Sequence, residues 1–149
     1  MVNLRFLLDT NIISEPFKLQ PSPTVVDKLQ QHSDNSAISA VTWHELLYGF
    51  HRLPESRRKK QLEIYLFEII EPNLPIIPYD NKAAEWFAIE RARLIALGHP
   101  PAYADGQIAA IAQVNNLILV TRNLSDYCNF LGLTLTNWFE SPPTPPAHK

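Results

Sequence analysis

The chain has 149 residues, 46% of them apolar, a formal net charge of −2 and a single cysteine. That length fits one domain with a real core, and no apolar run reaches the roughly 18 residues of a membrane span. The charge excludes the strongly basic footprint of a high-affinity duplex binder, and the lone Cys128 excludes an internal disulfide and a cysteine-held zinc site. Residues 4–8 predict a buried strand, interrupted in polarity only by Arg5. After the breakers Pro21 and Pro23, Val25, Val26 and Leu29 recur at helical spacing and predict a helix over 24–31. Residues 37–41 predict a second strand, and 42–52 a helix with Trp43, Leu46, Leu47 and Phe50 on one broad face. Between Glu55 and Glu71, Leu62, Tyr65, Leu66, Ile69 and Ile70 form the i, i+3, i+4, i+7, i+8 pattern of an amphipathic helix, which Pro72 and Pro75 are expected to end. A short extended segment follows at 74–78, then a helix over 81–97 stopped by Gly98-His99-Pro100-Pro101. The alanine-rich stretch 105–115 predicts a helix able to pack closely on a sheet. A strand at 117–121, a short helix at 125–131 and a last strand at 133–135 complete the pattern.

Strands alternate with helices throughout, which argues an α/β fold: a three-layer α/β/α sandwich around a parallel sheet of about five strands. The domain is expected to occupy residues 1–140. The proline-rich tail 141–149 has little with which to bury itself and is expected to be disordered. In open parallel sheets, ligands bind beyond the carboxyl ends of the strands. Asp9 and Asp126 follow the apolar runs that end at Leu8 and Val120; Glu45 follows the run 37–41, and Asp105 opens the alanine-rich helix. The topology therefore gathers four carboxylates at one edge.

Each acid also has a local structural role open to it. Asp9 and Asp126 could cap short helices, Thr42-x-x-Glu45 has capping-box spacing, and Asp105 could favour a helix N-terminus through the dipole. Those roles do not account for the further polar groups at the same strand ends, Thr10-Asn11 and Thr121-Arg122-Asn123. Clustered carboxylates repel and call for a counter-cation, and hard oxygen ligands select Mg²⁺ or Mn²⁺. A phosphate-bearing substrate and a metal-activated water follow from that chemistry. An aspartyl-phosphate mechanism is weakened because Asn11 stands where a second aspartate is wanted, and the four unclustered glycines exclude a P-loop. The basic run Arg57-Arg58-Lys59-Lys60 reads either as a phosphate contact or as a solvated helix turn.

Leu7-Leu8-Asp9-Thr10-Asn11, Thr42-x-x-Glu45-Leu46-x-x-Gly49, Asp105-x-x-Ile108-Ala109-Ala110-x-Ala112 and Thr121-Arg122-Asn123-x-x-Asp126-Tyr127 together resemble, in order, the PIN domain of VapC-type toxins, with 98–112 most similar to the FitB-like branch. The resemblance implies that Asp9, Glu45, Asp105 and Asp126 form a Mg²⁺ or Mn²⁺ site. Asn11, Ser14 and Thr121 would support it, with Asn123 in the same motif and Arg122 placed for a phosphate. It also implies a cytoplasmic toxin of a type II toxin–antitoxin pair that hydrolyses RNA. Such a toxin would be a homodimer neutralised by a VapB-type antitoxin, reaching promoter DNA only through that antitoxin, with no membrane role. Tyr127 stands where phenylalanine is more usual, and is expected to fill the same packing role. Two other functions fit the residues: an RNA-processing PIN nuclease without toxicity, and a non-catalytic partner acting through an antitoxin–DNA complex.

Overall fold

Phe6-Leu7-Leu8 is apolar at every position because both of its faces are covered. A computed structural model describes residues 3–140, so the tail 141–149 lies outside the described residues. In it β1 (Phe6–Leu8) is the middle strand of a five-stranded sheet ordered β3-β2-β1-β4-β5. Its neighbours are β2 (Ser36–Ser39) and β4 (Ile118–Val120), with β3 (Ile76–Ile77) and β5 (Leu135–Thr136) at the edges. All four pairings are parallel; Phe6 sits opposite Ser36 and Ile118, and Leu7 opposite Ala37 and Leu119. Alternation along the strands splits the core in two. Leu7, Ala37 and Leu119 pack with Phe87 and Leu94 of α6 (Asn81–Ala96) and with Ile108 to Ala112 of α7 (Tyr103–Val114). Phe6, Leu8, Ile38 and Val120 pack on the opposite face. There they meet Ile12 and Ile13 of α1 (Thr10–Ile13), Val25 of α2 (Pro23–Gln31), and Leu46 and Phe50 of α3 (Ala40–His51). The expected three-layer α/β/α sandwich is the observed one.

The strand order reverses at β1. From β1 the chain moves outward through β2 to β3, then returns to β4 on the other side. The carboxyl ends of β1 and β4 therefore flank the switch point, where a parallel sheet opens a crevice for ligands.

Four details depart from the sequence-based expectations. Residues 10–13 form a helical turn and Glu15–Phe17 a 3₁₀ turn where no element was predicted. The helix predicted to stop before Pro72 continues: α4 (Arg57–Ile64) runs through a π-helical stretch, Tyr65–Ile70, into α5 (Glu71–Asn73). The wider π turn bonds Glu71 N–H to Leu66 O, so Pro72 joins the last turn without stopping the helix. It also shifts the helical phase and leaves Ile69 half exposed beside buried Leu66 and Ile70. The segment predicted as a helix over 125–131 contains only a 3₁₀ turn, Leu124–Asp126, followed by tight turns, and the last strand is displaced to Leu135–Thr136. That segment is held from outside. Buried Glu90 accepts Leu131 N–H at 2.7 Å and Arg93 through two bonds of 2.7 and 3.0 Å, while Arg93 also donates to Asn129 O at 2.8 Å. The Arg93 guanidinium keeps the Glu90 carboxyl below its ordinary range.

Close contact between α6 and α7 sets the height of the α7 N-terminus, one residue from Asp105. A Cβ on Gly106 would fall 2.0 Å from the ring of Phe87, itself buried in the core. Gly106→Ala is therefore expected to destabilise the fold by about 1–3 kcal/mol through overpacking. Thermal unfolding checks this, and an unchanged midpoint would mean that the Phe87 ring can turn aside.

Candidate active site

Asp9 occupies the residue after β1, at the switch point. Its own N–H donates to Val120 O at 2.9 Å, which fixes it against the end of β4. Asp9 caps α1: Oδ1 accepts Thr10 N–H at 2.8 Å. Oδ2 accepts the Thr121 hydroxyl at 2.9 Å and the Tyr127 hydroxyl at 3.2 Å, with Asn11 Nδ2 at 3.5 Å. The carboxylate is 6% exposed, so its polar neighbours are its main solvation.

Tyr127 ties a second acid to the first. Its buried hydroxyl also lies 3.3 Å from Asp105 Oδ1, in the first turn of α7, so one phenol proton serves both carboxylates. The packing role expected of this ring is met, since Tyr127 lies in the core with Phe130 and Leu119. The hydroxyl is a functional feature that the sequence reading missed. The available signal was the tyrosine itself, in a place where the resembling family usually carries phenylalanine.

Glu45 arrives by a different route. The cap of α3 is Ser39, whose hydroxyl accepts Thr42 N–H at 2.9 Å, so the Thr42-x-x-Glu45 capping box does not form. Glu45 is exposed and accepts the Thr10 hydroxyl at 3.2 Å, which itself lies 3.4 Å from Thr42 Oγ1. Asp126 sits in the exposed 3₁₀ turn after β4 and shares a cleft of about 280 Å³ with Asp105. All four acids thus stand on the carboxyl edge of the sheet.

The supporting residues divide into two groups. Thr121 donates to Asp9 and accepts Asn123 N–H at 3.0 Å, while Asn11 Oδ1 accepts Arg122 N–H at 3.1 Å. These bonds clamp the loop after β4 onto the start of α1. Asn123 takes part through its backbone. Ser14 stands apart: its hydroxyl donates to Thr10 O at 2.9 Å and faces a neighbouring cleft. The Arg122 guanidinium lies over the Phe139 ring at 4.5 Å from its centroid, on the exposed surface. His44 and His51 are both exposed on α3.

Burial raises the Asp9 carboxyl above its ordinary range despite bonds from Thr10, Thr121 and Tyr127, and Asp126 adds to the rise. Asp105 is raised by desolvation, then by Asp126 and Asp9. Glu45 is raised by desolvation, with Asp9 and Asp105 adding and the Thr10 bond opposing. Burial and two adjacent carboxylates likewise push the Tyr127 phenol far up, so it stays a neutral donor. The donor set is all oxygen, the kind that suits a hard divalent cation. One pair of acids is bridged, Asp9 and Asp105 through Tyr127, while Glu45 is tied to the Asp9 cap through Thr10, and among the described residues no three acids or histidines close into a tight cage.

A three-layer α/β/α domain with a carboxylate-rich crevice at the switch point of a parallel sheet is the class that fold and site define. The chain belongs to the PIN domain family, whose profile matches residues 6–125. It is 36% identical over 124 residues to Toxin FitB of Neisseria gonorrhoeae, covering 81% of this chain and 89% of that protein. It is 30% identical over 135 residues to the tRNA(fMet)-specific endonuclease VapC of Shigella flexneri, covering 91% of this chain and 98% of that one. Among solved structures, FitAB bound to an IR36 DNA fragment matches with a TM-score of 0.85 at 30% identity, over 93% of this chain and 98% of that one. DNA-bound VapBC from Salmonella typhimurium matches at 0.79 and 28%, over 91% and 98%.

The raised carboxyls carry a stability consequence. A group whose folded pKa lies above its unfolded value weakens the fold once ionised; the penalty is absent below about pH 4 and grows as pH rises through the folded pKa. In metal-free protein, Asp105→Asn should raise the unfolding midpoint at pH 7, with the difference from wild type closing as the pH falls to about 4. Paired thermal melts across that range test it; a difference independent of pH would contradict the electrostatic cause.

Proposed function

We propose that this chain is the toxin of a type II toxin–antitoxin pair, a divalent-metal-dependent endoribonuclease that hydrolyses RNA phosphodiester bonds. The observation that carries this reading is the gathering of Asp9, Asp105, Glu45 and Asp126 at the carboxyl edge of the sheet, with Asp9 and Asp105 bridged by the Tyr127 hydroxyl and Glu45 joined to the same rim through Thr10. Asp9 and Asp105 would be the central ligands of Mg²⁺ or Mn²⁺, and Glu45 and Asp126 would complete the set, through water or a second metal. When bound, such a cation would supply a water of lowered pKa and offset charge on the phosphate. The chain's own residues do the rest. Thr121 and Thr10 N–H hold the Asp9 carboxylate in one orientation, and the clamp from Asn11 to Arg122 keeps the loop after β4 in register. Glu45, exposed and raised in pKa, is placed to take a proton from an attacking water. Arg122 is the cation nearest this rim in sequence for a flanking phosphate. Ser14 supports Thr10 through its backbone carbonyl.

Relatives supply the rest of the reading. The names of similar proteins include a toxin and a tRNA endonuclease, and similar structures are toxin–antitoxin complexes with DNA. The chain accordingly acts with a VapB-type antitoxin, reaches promoter DNA only through it, and works as a homodimer in the cytoplasm. Among the described residues no helix is long and apolar enough to cross a membrane.

Induced expression followed by mapping of new RNA 5′ ends tests the activity. Wild type should generate discrete ends and arrest growth, EDTA should stop cleavage in vitro, and Asp9→Asn should bring cleavage below detection. Cleavage by Asp9→Asn at the wild-type rate would remove the metal-site assignment.

The ligand assignment has its own measurement. Tyr127→Phe keeps the ring and removes the donor common to Asp9 and Asp105, so Mn²⁺ affinity should fall about tenfold, the effect of losing an outer hydrogen bond to a metal ligand. Calorimetric titration with Mn²⁺ reads this directly. Affinity equal to wild type would mean that the phenol does not orient the ligands.

A further inference from the structure

Gly49 lies inside α3, where glycine costs roughly 0.5–1 kcal/mol relative to alanine. Its backbone is not in the left-handed region that would require glycine. No neighbour crowds it either: a Cβ there would meet nothing within 4 Å. Gly106 shows the contrast, since its missing side chain is explained by Phe87. Among the described residues nothing accounts for Gly49, and the space in front of it belongs to a cleft of about 340 Å³.

That cleft has the composition of a ligand site. Phe17, Leu46, Leu53 and Leu62 give it an apolar floor. Thr10 and Glu45 form one end, which makes it continuous with the acidic rim. Arg58 and Lys18 stand along its border. Lys18 is paired with Glu15 at 2.9 Å. The exposed Arg58 guanidinium stacks over Phe17 at 4.5 Å and spends one N–H on Phe17 O at 2.9 Å, leaving its other donors free for phosphate. The volume lies at the small end of ligand sites, about 300–1,000 Å³, which suits one unpaired nucleotide and not a duplex.

We propose that this cleft receives the nucleotide next to the scissile phosphate, with the base laid against the bare helix backbone at Gly49 and the following phosphate met by Arg58. The inference rests on the RNA-hydrolysis reading and deepens it: the substrate must present an unpaired base at the cut. An apolar pocket joined to a cation at its border is the arrangement by which proteins hold single strands, through base stacking and phosphate contacts. Charge at the border of the cleft suits a phosphate, since Arg58 keeps donors free there while Lys18 is held by Glu15. The basic run beginning at Arg57 thereby gains one specific role, at Arg58, while Lys59 is occupied by Glu55 at 3.2 Å.

The test uses the full chain and a fluorescein-labelled, mixed-sequence single-stranded RNA of about 12 nucleotides, within the range that such grooves cover. Binding is read by anisotropy in Ca²⁺. Gly49→Leu puts a side chain into the cleft from a position where a Cβ meets nothing within 4 Å, so its unfolding midpoint should lie at or above that of wild type and its Mn²⁺ affinity should be unchanged, while RNA affinity falls about tenfold, the equivalent of one lost base stack. Arg58→Ala should weaken binding and make the salt dependence shallower by about one phosphate contact. Wild-type RNA affinity in Gly49→Leu overturns the proposal, as does failure of wild type to bind this RNA at all. Unchanged RNA affinity joined to escape from antitoxin neutralisation also overturns it and gives the cleft to a protein segment. If wild type binds the RNA but leaves total RNA uncut in Mn²⁺, the hydrolysis reading fails, separately from the cleft.

Discussion

The carboxyl edge of this domain is organised around one buried anion. Asp9 ends the central strand, caps the helix that follows, and accepts hydroxyl protons from Thr121 on the β4 side and from Tyr127 beneath it. Each bond comes from a different stretch of chain, so the carboxylate acts as the common stop against which β1, α1, the β4 loop and the segment after it are set. Removing water from a carboxylate is costly unless polar groups replace it, and the domain replaces it with four donors. The raised Asp9 carboxyl indicates that the replacement is incomplete. The shortfall sits at the switch point of a parallel sheet, where a ligand is best able to make it good.

That shortfall spreads outward through shared protons. Tyr127 divides one proton between Asp9 and Asp105, and Thr10 divides one between Glu45 and Thr42. Neither hydroxyl can satisfy both neighbours at once. A cation held among these oxygens would relieve both, since it compensates several carboxylates where a proton compensates one. On the proposed reading, the fold trades some metal-free stability for a site set up in advance. Rigid parts secure the trade: Gly106 against Phe87 fixes the height of Asp105, and Glu90 with Arg93 fixes the turns that carry Tyr127.

Much of this was legible in the sequence, and what was not has a physical reason. Strand-length apolar runs ending in Asp9 and near Asp126 were readable because buried parallel strands are apolar on both faces. The alternation of elements then fixed which edge they share. The Tyr127 hydroxyl was hidden because a tyrosine inside an apolar segment reads as a packed ring, and only the fold brings its oxygen between residues 118 and 22 positions away. The cap of α3 was misplaced because Ser39 and Thr42 are both good caps, and the choice falls to Ser39, whose hydroxyl reaches Thr42 N–H. The π-helical turn was invisible because apolar spacing at i, i+3, i+4 tolerates one inserted residue. Residues 125–131 were overread as a helix because part of their order comes from Glu90 and Arg93, which bind Leu131 and Asn129, and not from local propensity.

Gly49 and Gly106 separate two meanings of the same residue type. Gly106 is bare because a neighbour from this chain occupies the space; Gly49 is bare with that space open. A fold that needed only its own packing would gain from alanine at the second position, since nothing there opposes a methyl group and the helix would be stiffer. The cleft at Gly49 joins the acidic rim through Thr10 and Glu45, and a second cleft joins it through Asp105 and Asp126. An extended strand crossing the rim would therefore pass from one cleft to the other over Asp9. On the proposed reading the site is a path as well as a point, and a path across the edge of a single sheet admits a flexible chain more readily than a rigid double helix.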